Sequence, residues 1–167
     1  MVDGKGAPGE PAPPELNLGL DIVAINPAGT LFVSGEIGDW GAVRAHAIDT
    51  IVDMDGQVDS GLPEAPNGIL YVYFPIRDEE LPSLAKLDAL GRLVADLVGN
   101  EQRVLVHCRM GLNRSVLVIA TALTYMGYSG EDALTHLQSV RPGALYNETF
   151  ANHVRTLSPR RVRLESA

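Results

Sequence analysis

Short apolar runs separated by glycine-containing turns predict the strands of a sheet. Four segments have this character, at positions 31–33, 50–52, 70–76 and 104–106. β-Branched and aromatic side chains favour extended structure. The run at 104–106 is apolar at every position, which is typical of a central strand covered on both faces. We expect all four segments to be buried strands.

Apolar residues at three- and four-residue spacing predict helices between and after these strands. The predicted helices cover 83–98, 115–126, 129–142 and 147–157. Gly99 follows the first, Ser129 is a candidate N-cap of the third, and Pro142 ends it. The second is apolar on nearly every side, so we expect it in the core. Strands that alternate with helices predict a layered α/β fold.

The chain of 167 residues is long enough for one domain with its own core. Seven of the first fifteen residues are Gly or Pro, and residues 1–15 are predicted to be a flexible leader. We expect a single domain over 16–158. The segment 159–167 has no hydrophobic periodicity and is predicted to be a frayed tail.

Composition excludes several functional classes. Hydrophobic residues make up 46% of the chain and charged residues 20%, as in globular proteins. A formal net charge of -8 opposes general attraction to nucleic acid or anionic lipid. No apolar stretch approaches the roughly 20 residues of a membrane span, and the start of the chain lacks the pattern of a secretory signal. With a single cysteine, no internal disulfide can form. We therefore expect a cytoplasmic protein that has neither a nucleic-acid nor a membrane partner.

The most informative segment lies between the apolar strand at 104–106 and the apolar helix that begins at 115. Five residues separate Cys108 from Arg114, enough to curl a loop whose backbone N–H groups point inward at a helix N-terminus. Such a loop binds phosphate or another oxyanion. Arg114 at its end can hold two phosphate oxygens at once. The loop amides, the helix dipole and the guanidinium all favour the thiolate of Cys108, which predicts a nucleophile beside a bound phosphorus.

The sequence His107-Cys108-Arg109-Met110-Gly111-Leu112-Asn113-Arg114-Ser115 resembles the signature of the cysteine-dependent protein tyrosine phosphatase superfamily. Among its members, the chain is most similar to the small, atypical dual-specificity phosphatases. The resemblance implies an α/β fold with a central, mostly parallel sheet of about four to five strands flanked by helices. It also implies a metal-independent phosphoester hydrolase that forms a phosphocysteine and needs no cofactor.

The resemblance also assigns roles to other residues. Asp78 lies thirty residues before the cysteine, on a loop after a strand, which is where the family carries its general acid; the neighbouring carboxylates Glu79 and Glu80 stay open as alternatives. Ser115 would donate a hydrogen bond to the sulfur when the thiolate leaves. His107 is expected to brace the loop rather than transfer protons.

The loop residues themselves form the predicted substrate-binding site. It comprises Arg109, Met110, Gly111, Leu112, Asn113 and Arg114. Gly111 is expected to permit a backbone angle and a close approach that other residues do not. Asn113 is expected to brace the loop, and Arg109, whose charge departs from what is usual in the family, would either contact substrate or lie free on the surface.

No metal site is expected. Three of the four histidines, His46, His136 and His153, are scattered without ligand spacing. The acidic stretch 53–56 superficially resembles a calcium loop, but Val58 occupies the sixth position where that loop requires glycine.

The predicted function is a dual-specificity protein phosphatase acting on phosphotyrosine and on phosphoserine or phosphothreonine of a phosphorylated protein. Because the loop recognises phosphate and not its carrier, a phosphoinositide or an RNA 5′ end stays open as a substrate. A sulfurtransferase that uses one cysteine is the alternative of another class. The substrate, the oligomeric state and redox regulation are not determined by the sequence.

Overall fold

A parallel sheet of four strands, extended by one short antiparallel strand, forms the centre of the fold. The computed structural model describes residues 21–160. The strands are β1 (Val23–Ala24), β2 (Leu31–Ser34), β3 (Thr50–Asp53), β4 (Leu70–Tyr73) and β5 (Val104–His107), in the spatial order β1-β2-β5-β3-β4. Only the β1–β2 pair is antiparallel. The predicted α/β class and mostly parallel sheet are thus confirmed.

Five helices cover the two faces of the sheet. They are α1 (Trp40–Ala45), α2 (Leu84–Gly99), α3 (Arg114–Tyr125), α4 (Gly130–Val140) and α5 (Glu148–Arg155). The Ser129 hydroxyl accepts a hydrogen bond from the Asp132 N–H, so the predicted N-cap is confirmed. No helix between residues 21 and 160 has the length and apolar character needed to cross a membrane.

Successive side chains of each strand point to opposite faces of the sheet, so the core is divided into two clusters, one on each face. Val104 and Val106 of β5 lie in the large cluster with α2, α3, α4 and α5, whereas Leu105 lies in a smaller cluster near α1. Residues 115–124 of α3 are all buried, as its apolar sequence predicted. Helix α3 is therefore held as a rigid support directly after the loop that follows β5.

Two predictions need correction. The segment 70–76 is not a buried strand: β4 ends at Tyr73 and lies at the edge of the sheet, where Leu70 is 46% exposed and Tyr73 is 40% exposed. An edge strand has a neighbour on one side only, which an apolar run cannot reveal.

Arg160, assigned to the frayed tail, instead donates its N–H to Thr124 O at 2.7 Å and pairs with Asp88. The predicted leader and the remainder of the tail lie outside the described residues.

Candidate active site

The central strand β5 delivers the cysteine loop to the carboxyl-terminal edge of the sheet. Because β2 and β3 run parallel to β5 on either side, the segments that follow all three strands meet there. Cys108 is the first residue after β5, and Arg114 is the first residue of α3. The loop 108–114 therefore closes over the N-terminus of a buried helix.

The sulfur of Cys108 faces the inside of this loop. The Gly111 N–H donates to its Sγ at 3.2 Å, and the Ser115 Oγ lies 3.3 Å from it. Cys108 and Ser115 are both buried. At least the Gly111 N–H thus points toward the sulfur, where it stabilises negative charge.

Gly111 gives the loop its shape. Its φ of +65° lies in the left-handed region, and a Cβ at this position would collide with the carbonyl of Ser34 at the end of β2. The predicted backbone angle and close approach are both confirmed.

The guanidinium of Arg114 is anchored through one nitrogen. Its Nη1 lies 3.2 Å from Asp55 Oδ1 and 3.4 Å from the carbonyl oxygens of Met54 and Ile76. No other atom of this guanidinium is hydrogen bonded within residues 21–160, so Nε and Nη2 are available for a ligand. Asp55 was not predicted as a site residue, because its partner is 59 positions away in sequence.

Asp78, which the family resemblance singled out, lies beside the loop. The Asn113 amide donates to Asp78 Oδ2 at 3.2 Å, and the Asn147 amide donates to its backbone carbonyl. Its Oδ1 is buried without a hydrogen-bond partner among the described residues. Glu79 and Glu80, by contrast, are exposed, so Asp78 is the carboxylate of this acidic run that the structure brings to the loop.

Asn113 connects three segments of the chain. Its side chain donates to Asp78 and accepts from the Asn147 N–H at 3.1 Å, while Asn147 caps α5. Asn147 thereby fixes the loop that carries Asp78 against the loop 108–114.

Arg141 is a loop contact that the sequence analysis missed. Its Nε donates to Gly111 O at 2.6 Å and its Nη2 to Met110 O at 3.2 Å, which turns these carbonyls outward. Burial lowers the pKa of Arg141, and negative charge at Cys108 partly offsets this. The sequence signal was an arginine directly before Pro142, after a helix.

The remaining loop residues surround the opening. Arg109 and Met110 are exposed, and Leu112 is buried with its carbonyl accepting from Leu145 N at 2.7 Å. A groove of about 470 Å³ next to Arg109 is lined by residues of the segments after β2 and β3, including Glu36 and Asp55. Arg109 therefore lines a groove that also contains carboxylates.

One buried cluster has the composition of a metal site. Ligand atoms of Asp53, Asp59 and His107 lie within 4.8 Å of one another, the one such group within residues 21–160. The Tyr71 hydroxyl lies 2.5 Å from Asp53 Oδ2 and 2.9 Å from Asp59 Oδ2. Because this hydroxyl already bridges the two carboxylates, the arrangement fits a hydrogen-bonded cluster better than a cation.

Comparison with known proteins assigns the family. Residues 41–158 match the family model described as dual specificity phosphatase, catalytic domain. The chain therefore belongs to this family, within the cysteine-dependent protein tyrosine phosphatase superfamily, and its class is that of the cysteine-dependent protein phosphatases.

Individual relatives agree with this assignment. Mouse protein phosphatase Slingshot homolog 3 is 30% identical over 127 residues, which are 71% of this chain and 19% of that protein. The chain thus matches about a fifth of the length of this relative. A mouse putative dual specificity phosphatase complexed with zinc tungstate is 27% identical, with a TM-score of 0.66 and 89% of each chain covered. Human DUSP28 shares the fold at 24% identity, with a TM-score of 0.68, and the alignment covers 88% of this chain and 95% of that one.

Proposed function

We propose that this protein hydrolyses phosphate monoesters on proteins through a phosphocysteine. The observation that carries the proposal is the 3.2 Å contact between the Gly111 N–H and Cys108 Sγ. The loop that holds this contact ends at Arg114, which pairs with Asp55 through Nη1. A backbone amide directed at a buried sulfur, at the N-terminus of a helix, favours a thiolate and the oxygens of a phosphoryl group. The mouse relative solved with tungstate, a tetrahedral oxyanion like phosphate, is consistent with this use of the fold.

In the first half-reaction, the Cys108 thiolate attacks phosphorus and a P–S bond forms as the P–O bond to the leaving group breaks. Asp78 gives its proton to the leaving oxygen, and Nε and Nη2 of Arg114 hold two of the remaining phosphoryl oxygens. This assignment rests on the position of Asp78 against Asn113 and on the anchoring of Arg114 by Asp55.

In the second half-reaction, Asp78 accepts a proton from a water that attacks the phosphocysteine. The P–S bond breaks, and inorganic phosphate and the thiolate are released. The Ser115 hydroxyl, 3.3 Å from the sulfur, donates a hydrogen bond to the departing thiolate.

A phosphorylated protein is a better fit to the opening than a polyphosphorylated lipid headgroup. Glu36 and Asp55 line the groove beside Arg109, and the chain carries a net charge of -8. Additional phosphates on an inositol ring would face these carboxylates, whereas a peptide presents a single phosphate with neutral or basic neighbours.

The test is hydrolysis of p-nitrophenyl phosphate in the presence of a chelator, from pH 4.5 to 8. Cys108→Ser should abolish turnover, and Asp78→Asn should lower kcat by about 10²- to 10⁴-fold. Asp78→Asn should also remove the fall in kcat at high pH, because that fall reflects loss of the acid's proton. Glu80→Gln is the matched control: Glu80 is exposed, pairs only loosely with Arg77 at 3.6 Å, and should leave the profile unchanged.

Substrate class is tested next with phosphotyrosine, phosphoserine and phosphothreonine peptides against phosphoinositides in vesicles. Turnover of phosphotyrosine and phosphoserine or phosphothreonine peptides supports the proposal. If only the phosphoinositides are hydrolysed, the proposed protein substrate is wrong and a lipid takes its place. Activity that requires a metal or survives Cys108→Ser would refute the mechanism.

A further inference from the structure

A buried polar cluster beneath the cysteine loop has no part in the proposed mechanism. His107 comes directly before the nucleophile, and its side chain is 1% exposed. Its Nε2 lies 2.8 Å from Asp59 Oδ2, where the Asp59 side chain is 4% exposed. A carboxylate at this depth requires polar partners, since burial without them is costly.

Asp59 is itself held in place by Tyr71 of β4. The Tyr71 hydroxyl lies 2.9 Å from Asp59 Oδ2 and accepts from the Asp59 N–H at 3.0 Å. Both the backbone and the carboxylate of Asp59 are thus fixed to a strand of the sheet.

His107 is fixed from two sides by the segment after β3. The Met54 N–H donates to His107 O at 2.9 Å, and Asp59 faces the ring. Both ring nitrogens, Nδ1 and Nε2, are buried, and neither has a hydrogen-bond partner among the residues that the structure describes, so Nε2 meets Asp59 Oδ2 through a close polar contact and not through an aligned hydrogen bond. Asp59, at 2.8 Å, is a nearer neighbour of Nε2 than Asp53 at 3.7 Å, and it is therefore the first candidate for orienting this ring and the backbone that leads into Cys108.

The same segment also reaches the far end of the loop. Asp55 pairs with Arg114 at 3.2 Å, four residues before Asp59 contacts His107. Residues 54–59 therefore span the phosphate loop from its last residue to the residue before its first. The contact of Asp55 holds the guanidinium of Arg114, and the contact of Asp59 lies at the end of β5, directly before Cys108.

We propose that Asp59 is a positioning residue for the phosphatase reaction, acting through His107 to hold Cys108 in line with the bound phosphorus. The inference rests on the proposed function. It separates two roles within one segment, because Asp59 acts at the nucleophile and Asp55 acts at the oxyanion-binding arginine. Misplacement of a reacting group by about 1 Å can cost on the order of 10²-fold in rate.

The test compares Asp59→Asn, Asp55→Asn and Asp49→Asn with the native protein in p-nitrophenyl phosphate hydrolysis. Asp59→Asn should lower kcat by about 10- to 100-fold while the inhibition constant for inorganic phosphate changes by less than about threefold. Asp55→Asn should instead raise that inhibition constant and KM. In the His107→Gln background, Asp59→Asn should cost little more, because both substitutions remove one interaction.

Asp49→Asn is the matched control for a structural role. Asp49 also accepts backbone hydrogen bonds, from Arg103 N at 3.1 and 3.2 Å, but at the opposite end of β3 from the site. It should leave kcat unchanged even if it lowers Tm. If Asp59→Asn does not fold, Tyr71→Phe removes the hydroxyl that holds Asp59 and should lower kcat in the same sense.

Failure of the inference and failure of the function give different results. If the native protein is active and the kcat of Asp59→Asn equals that of the native protein, the positioning role is overturned. A native protein without turnover overturns the proposed function, and the rate of Cys108 alkylation by iodoacetate then tests the contact by itself. Slower alkylation in Asp59→Asn than in the native protein and Asp49→Asn supports the positioning role, and equal rates overturn it.

Discussion

Gly111 is the residue on which the shape of the loop 108–114 depends most directly. Its N–H donates to Cys108 Sγ, its carbonyl accepts from Arg141, and its φ is +65°. A single residue thus directs an amide inward and a carbonyl outward. Its position next to Ser34 leaves no room for a side chain.

Gly111→Ala should therefore reduce both activity and stability. The new methyl group meets backbone atoms of β2, which cannot move aside, so the loop must shift away from the sulfur. We expect kcat/KM to fall by about 10²-fold and the free energy of unfolding to fall by about 1–3 kcal/mol. Steady-state kinetics and denaturant unfolding measure both quantities.

Gly99→Ala is the control for Gly111→Ala. Gly99 is the last residue of α2, has open space where a Cβ would be, and lies in the helix away from the site. Its substitution should leave kcat/KM unchanged and stability unchanged or slightly higher. Native activity in Gly111→Ala would contradict the role given to this glycine.

At the level of elements, the site is built by the parallel order of β2, β5 and β3. This arrangement brings Gly111 against the end of β2 and Asp55 against Arg114 at one edge of the sheet. The end of α4 completes the loop from outside through Arg141. The loop 108–114 is thus supported by segments that are distant in sequence and does not hold its shape alone.

The local part of this arrangement was predictable from sequence. The apolar run at 104–106, the buried helix after it and the spacing from Cys108 to Arg114 placed the loop correctly, because strand, turn and helix follow one another along the chain. The contacts of Asp55, Asp59 and Arg141 were not predictable, because they depend on strand order and on which helix ends near the loop.

Arg141→Met should loosen the loop and weaken oxyanion binding. It removes hydrogen bonds to Gly111 O and Met110 O, so these carbonyls are free to turn inward. We expect the inhibition constant for phosphate to rise by about tenfold and the free energy of unfolding to fall by about 1.5–3 kcal/mol. Inhibition kinetics and urea unfolding provide the measurements.

Arg155→Met is the corresponding surface control. Arg155 on α5 pairs loosely with Glu148 at 3.6 Å and Glu131 at 3.9 Å and is 41% exposed. Its loss should cost about 0–1 kcal/mol of stability and leave phosphate inhibition as it is. Equal effects of the two substitutions would show that Arg141 has no special role in the loop.

For the whole molecule, the buried acidic cluster makes stability depend on pH. Burial raises the pKa of Asp53 above its ordinary value of 3.8, although hydrogen bonds from Tyr71 and Asp55 N and the nearby His107 act in the opposite direction. The folded state therefore holds this proton more tightly than the unfolded chain does. The stability associated with the protonated form is complete below pH 3.8 and is lost as pH rises through the raised pKa.

Asp53→Asn should remove this dependence and stabilise the protein at neutral pH. An asparagine can accept from Asp55 N through its oxygen. The Tyr71 hydroxyl, which donates to Asp53 Oδ2 in the native protein, would instead accept from the asparagine amide and donate to Asp59 Oδ2. We expect the Tm of the variant to equal that of the native protein near pH 3.5 and to exceed it increasingly as pH rises past 3.8. Thermal unfolding from pH 3.5 to 8 measures the difference, in which other titrating groups largely cancel. A difference independent of pH would mean that the folded state does not hold the Asp53 proton more tightly than the unfolded chain.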